Sequence, residues 1–184
     1  SFTMAFDALL PTLSERVGGS SGLYGSILIG LGAGALVGTI GVSQLGEGPG
    51  RGRAFWATGT GSGAAMLVLG WAPNPTVVVI GGVLAGLTQA SYMTLSATLI
   101  QRVVADKFRG RVMSLYIMIA AGHMAFMNLG FGWVADRADV RALLIGPGVA
   151  WVAVFLVAAV ASSETRSVVA TGRFTRTQVG LLAA

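Results

Sequence analysis

From position 54 to position 101 the chain runs for 48 residues without a charged side chain. The run is interrupted once, by the Pro-rich turn Trp71-Ala72-Pro73-Asn74-Pro75. On either side lies an apolar stretch close to the ~20 residues a helix needs to cross a bilayer. Helices of water-soluble domains keep a charged face, so the pattern predicts two spans and a tight turn, a hairpin in lipid. The rest of the chain continues the pattern, with six apolar segments at 1–13, 23–45, 54–71, 76–100, 112–134 and 142–161. The last five are long enough to span. The first is shorter and begins at Ser1 in apolar sequence, without the basic flank of a secretory leader; it reads as a helix cut short. None alternates with the two-residue period of a barrel strand. The prediction is an all-α membrane protein: a six-helix transmembrane bundle over 1–162 with a truncated first helix. A polar tail over 163–184 is expected to be a flexible cytoplasmic extension.

Composition changes the picture by exclusion. The chain is 54% hydrophobic and 10% charged, where soluble domains carry about 25% charged residues. With no cysteine and one histidine, disulfides, thiol chemistry and a structural zinc or other metal site drop out. The 11 Arg and 1 Lys lie between apolar segments. They therefore read as topology signals, not as a nucleic-acid surface. Turns 46–53 and 101–111, together with the tail, hold nine of the basic residues. The opposite turns hold three, Arg16, Arg137 and Arg141, beside Glu15, Asp136 and Asp139. The positive-inside rule puts the nine-charge side, and both ends of the chain, in the cytoplasm. The corresponding location is the plasma or inner membrane. Trp71 and Trp133 at outer ends and Trp56 at an inner end match interfacial aromatics.

Polar groups inside spans are costly and mark functional candidates. Asp7 is the one acid in an apolar segment; it reads as a protonatable cavity group or as a neutral carboxylic acid bonded to a neighbouring helix. His123, near the middle of its span, suits a proton relay or an interhelical hydrogen bond. Gln89, Tyr92 and Ser96 recur at i, i+3 and i+7, on one helix face. They line either a substrate path or a helix contact, and Asn128 carries the same two readings. Gly30, Gly34 and Gly38 form a GxxxG ladder for close packing, with Gly59, Gly61, Gly63, Gly82 and Gly86 as further small positions. Some of these glycines could instead serve as hinge points in a moving bundle. Arg109-Gly110-Arg111 reads as an anchor in an anionic leaflet or as a gate latch. No catalytic constellation is present: HExxH and the nucleophile elbow are absent, and Gly59–Gly63 lacks the Lys-Ser/Thr ending of a phosphate loop. Nothing in the sequence calls for an enzyme or a cofactor.

Several motifs carry a resemblance. Arg109-Gly110-Arg111-Val112-Met113-Ser114-Leu115-Tyr116 is similar to the R-G-R-V-x-S-x-Y start of the eleventh helix in major facilitator superfamily transporters. It is most like the branch of enterobactin exporters and transmembrane secretion effectors. Ala8-Leu9-Leu10-Pro11, Tyr24-Gly25 and the Gly-rich second span resemble that branch's seventh and eighth helices. Gly130-Phe131-Gly132-Trp133-Val134-Ala135-Asp136-Arg137 resembles its G-x-x-A-D ending. Ala105 stands where the branch commonly has Pro. Loop 41–53 keeps only a degenerate G…RGR of the motif G-x-x-x-D-R-x-G-R-R, with Arg51 and Arg53 but no Asp. The resemblance implies the C-terminal half of a twelve-helix transporter, with helices seven to twelve present and an N-terminal six-helix half as partner. It further implies a small-molecule exporter working by alternating access, drug-like or siderophore-like in substrate, with proton coupling as an option. Its first and fourth helices would line the cavity, and Arg51, Arg53 and Arg109–Arg111 would form a cytoplasmic gate or lipid contact. The alternative is a self-contained six-helix protein, either a homodimeric half-transporter or a membrane scaffold.

Overall fold

The computed structural model describes residues 6–18, 21–46, 48–135 and 137–161. All regular structure among them is helical. A 3-10 turn, Asp7–Leu9, leads into α1 (Leu10–Arg16); then come α2 (Ser21–Ser43), α3 (Pro49–Trp71), α4 (Pro75–Val103), α5 (Asp106–Ala135) and α6 (Val140–Ala161). By length and composition α2, α4, α5 and α6 can each cross a membrane. α3 has 23 residues but is the least apolar of the long helices, through its glycine, serine and threonine. The molecule is an all-α membrane bundle.

The boundaries follow local chemistry. Pro49 and Pro75 open α3 and α4 in the first turn, where a missing N–H costs nothing. Asn74 caps α4, its side-chain oxygen accepting from Val77 N–H at 3.0 Å. Gly18 closes α1 at φ 72°, a left-handed conformation glycine adopts freely. The helices run further than the apolar segments alone. α3 begins at Pro49 and takes Arg51 and Arg53 into its first turns. α5 begins at Asp106, so Arg109-Gly110-Arg111 are helical residues and not part of the loop. Charged residues do not end a helix; they end its passage through hydrocarbon. The tail expectation and the outermost part of the first segment, residues 1–5, lie outside the described residues.

The bundle has two ends. The Arg-rich end holds the α2–α3 and α4–α5 turns; the opposite end holds the α1–α2, α3–α4 and α5–α6 turns. α4 packs against α2 on one side and α3 on the other, and α3 packs against α6. Phe6, Leu9, Leu10 and Leu13 sit among these four helices, buried against Leu23 and Ile27 of α2, Met66 and Leu69 of α3, Val78 and Ala85 of α4, and Leu144 of α6. The short first segment is therefore the centre of the core, at the end opposite the arginines. α5 stands apart. None of its residues is buried, and its principal contact is with the Asp7–Leu9 turn.

Candidate functional site

The α2–α4 contact is a glycine zipper. A Cβ on Gly34 would strike the Val83 carbonyl, one on Gly86 the Leu31 carbonyl, and one on Gly38 the Leu87 carbonyl. Gly30 faces the Val83 side chain, whose Cγ2 would lie 3.1 Å from an added Cβ. The obstacles are mostly backbone, which cannot rotate away. The remaining small positions work elsewhere: Gly59 lies under the Phe155 ring, Gly61 against Thr88, and Gly63 against Val152 and the Gly148 carbonyl. α4 is thus fixed by its neighbours, which fixes the stripe that carries its polar residues.

That stripe changes character along its length. Val78 and Ala85 are buried in the aliphatic core. Gln89, Tyr92 and Ser96 follow on the same side, one turn and more towards the Arg-rich end. Gln89 is buried, and Tyr92 and Ser96 are half-buried. Ser96 donates to the Tyr92 carbonyl at 2.7 Å. The Tyr92 ring leans towards α3 and α6, 5.0 Å from Phe55, 6.0 Å from Trp151 and 5.8 Å from Phe155 between centroids. Phe155 is the hub of this aromatic cluster, also meeting Trp56 edge-on at 5.1 Å. Trp151 Nε1 donates to the Gly59 carbonyl at 2.9 Å.

α5 completes the candidate site from the other side. Its half-covered residues include Tyr116, His123 and Asn128. Asn128 Oδ1 accepts from the Ala8 backbone N–H at 3.4 Å, which brings Asp7 and Asn128 to one locality. Asp7 itself is exposed in the 3-10 turn. Tyr116 lies within electrostatic range of Tyr92. The structure therefore makes two separate groupings: the Asp7–Leu9 turn with Asn128 of α5, and Tyr92 of α4 with Tyr116 of α5. His123 falls between Tyr116 and Asn128 in the sequence of α5. Tyr116 was not singled out from the sequence as a site residue, although its place seven residues before His123 on the same side was readable.

At the Arg-rich end, Arg51 Nη2 donates to the Leu45 carbonyl at 2.7 Å, while its Nε and Nη1 are buried without a partner among the described residues. Arg53 is exposed. Arg109 pairs with Asp106 at 2.5 Å and donates from Nε to the Gln101 carbonyl at 3.2 Å. Gly110 meets nothing within 4 Å, and Arg111 is exposed.

The opposite end carries a clasp that sequence reasoning missed. Arg16 of α1 forms a two-pronged ion pair with Asp139. Asp139 Oδ1 also accepts from the Arg141 backbone N–H at 2.8 Å, at the start of α6. Arg141 Nη2 reaches the Ala72 carbonyl at 3.3 Å. These bonds hold the Asp139 carboxyl below its ordinary range, the Arg141 N–H contributing most and Arg16 next. The pattern Asp139-Val140-Arg141 ahead of an apolar run was a readable helix start; its partner, 123 residues earlier, was not.

The long apolar helices define a multi-pass membrane protein. The family model for transmembrane secretion effectors matches residues 1–181, and the chain belongs to that family, within the major facilitator superfamily. No curated protein and no solved structure matches the chain.

Proposed function

We propose that this chain is the C-terminal six-helix half, residues 1–162 with a tail, of a secondary active transporter that exports a small molecule by alternating access. Membership of the secretion-effector family supports the transporter class. The observation that supports the reading further is the exposed Asp7, the one acid in an apolar segment, in a turn that packs against α5 and whose Ala8 N–H donates to Asn128. A carboxyl at membrane depth is disfavoured by about 2.5–3.5 kcal/mol on the lenient insertion scale. Ala or Ser would fill a packing position at less expense. Polar α4 residues Gln89, Tyr92 and Ser96 continue the path towards the Arg-rich end, with Tyr116 of α5 in range of Tyr92 and His123 further along the same helix. Substrate binds between this half and an N-terminal six-helix half, and rocking of the halves exposes it alternately to each side. Asp7 exchanges a proton during the cycle. Both ends of 1–162 lie in the cytoplasm, and Arg51, Arg53 and Arg109–Arg111 guard the cytoplasmic gate.

The test is Asp7→Asn in the full-length transporter, reconstituted and assayed for substrate flux against pH. The substitution keeps shape and hydrogen bonding and removes titration. Flux should lose its pH dependence while expression stays normal. Wild-type flux at every pH would reduce Asp7 to a structural group. Flux from residues 1–184 alone would support a homodimeric half-transporter instead.

A further inference from the structure

The first segment is broken where Asp7 sits. In a regular α-helix the N–H of residue 11 donates to the carbonyl of residue 7, four residues back. Pro11 has no N–H, and its ring presses on that same carbonyl. The Asp7 carbonyl accepts instead from Leu10 N–H, three residues on, and Leu9 N–H donates to the Phe6 carbonyl at 2.8 Å. The result is the tight turn Asp7–Leu9 ahead of α1, with Pro11 in the first turn of α1. Phe6 and Leu9 are 0% exposed, while Asp7 between them is exposed.

A turn that starts in this way leaves early N–H groups without an acceptor in their own segment. In water a solvent molecule serves; within a bilayer the protein has to provide the acceptor. A cap residue does so with a side-chain oxygen, bonding the second or third N–H of the helix. Phe6 holds the cap position here and makes no such bond. The second N–H of the turn, that of Ala8, donates to Asn128 Oδ1 on α5 at 3.4 Å, 120 residues away. This turn is also the principal neighbour of α5.

We propose that Asn128 is a positioning residue: it supplies, from a different helix, the cap missing from a proline-made break, and so holds Asp7 in place through Ala8. Pro11 creates the demand for an outside acceptor and Asn128 meets it. The functional side of the proposal rests on the transport reading of Asp7; the bond and its dependence on Pro11 do not.

The test measures hydrogen exchange and substrate flux in the full-length transporter. Asn128→Leu keeps the size and removes the acceptor. Asn128→Gln keeps a neutral acceptor, and its extra methylene has room, since α5 has no buried residue. Pro11→Ala restores the N–H that a regular helix needs at that position. Exchange in the peptide spanning Phe6–Leu10 should quicken about three- to twentyfold in Asn128→Leu, the range of interhelical hydrogen bonds in membranes. Flux should fall with it, and Asn128→Gln should restore both. On a Pro11→Ala background Asn128→Leu should quicken exchange less than about twofold, because an unbroken helix satisfies Ala8 within the segment. Unchanged exchange in Asn128→Leu would overturn the proposal, as would equal quickening with and without Pro11. Quickened exchange with unaltered flux would overturn the positioning role. If Asp7→Asn leaves flux unaltered, the transport reading of Asp7 fails, while the exchange measurements still decide the cap.

Discussion

The α2–α4 pair and α5 are built from similar residues and held in opposite ways. Both contain apolar spans rich in glycine. In the pair, glycines of each helix meet the carbonyls of the other: Gly34 and Gly38 against α4, Gly82 and Gly86 against α2. In α5, Gly110, Gly122, Gly130 and Gly132 meet nothing within 4 Å. A GxxxG spacing is therefore permission for close approach, and a second helix must take it up. Lipid tails are as apolar as leucine, so apolarity alone does not draw helices together in a bilayer. Shape does, and α2 and α4 have matching shapes. α5 is attached by Phe131 and Ala135 near its end, packed against the core, and by polar contacts: Asn128 to Ala8, and the turn after it through Asp139 to Arg16.

Four substitution experiments break or sharpen this comparison. The largest effect is expected from Gly34→Leu with Gly86→Leu. Each new side chain meets backbone, and overpacking costs roughly 1–3 kcal/mol per site or more, so the pair should separate and the protein lose its thermal transition. Gly122→Leu with Gly130→Leu in α5 should stay within about 0.5 kcal/mol of wild type. Equal loss in both doubles would remove the distinction.

Two phenylalanines offer the next contrast. Phe155 is 7% exposed at the centre of the aromatic cluster, and Phe126 is 74% exposed on α5. Phe155→Ala should cost on the order of 3–5 kcal/mol in a denaturant titration, and Phe126→Ala a few tenths. A smaller effect comes from Trp151→Phe, which keeps the ring and removes the bond to the Gly59 carbonyl. Interhelical bonds in membranes average ~0.6 kcal/mol, and a melting curve should show a loss of about that size.

The clasp gives the smallest effect and a direction with pH. The folded Asp139 carboxyl titrates below its unfolded value. Its stabilisation is therefore complete above the unfolded value, near pH ~4, and fades as pH falls through the lower folded one. Melting temperature in the wild type should drop across that acid window. In Asp139→Asn that part of the drop should disappear, and hydrogen exchange should quicken at the α1 and α6 ends. A pH profile identical in both proteins would mean that the clasp contributes nothing to fastening α1.

Much of this protein followed from the order of its residues. The uncharged run 54–101 and its Pro-rich turn determined a pair of long helices, α3 and α4, because backbone groups in an apolar setting have to be satisfied within a helix. The six apolar segments became six helices for the same reason. Gln89, Tyr92 and Ser96 shared a stripe because helical periodicity is local. Three things were decided only by tertiary structure. The short segment at 1–13 looked marginal by length, and the leucines of its described part became a fully buried part of the core, because burial depends on where neighbouring helices leave space. Glycines of equal appearance became a zipper in α2 and α4 and open surface in α5, because close approach is a property of two surfaces. Ala8 met Asn128, and Arg16 met Asp139, across more than a hundred residues of chain. No local rule specifies such a pairing; it follows from how the helices pack.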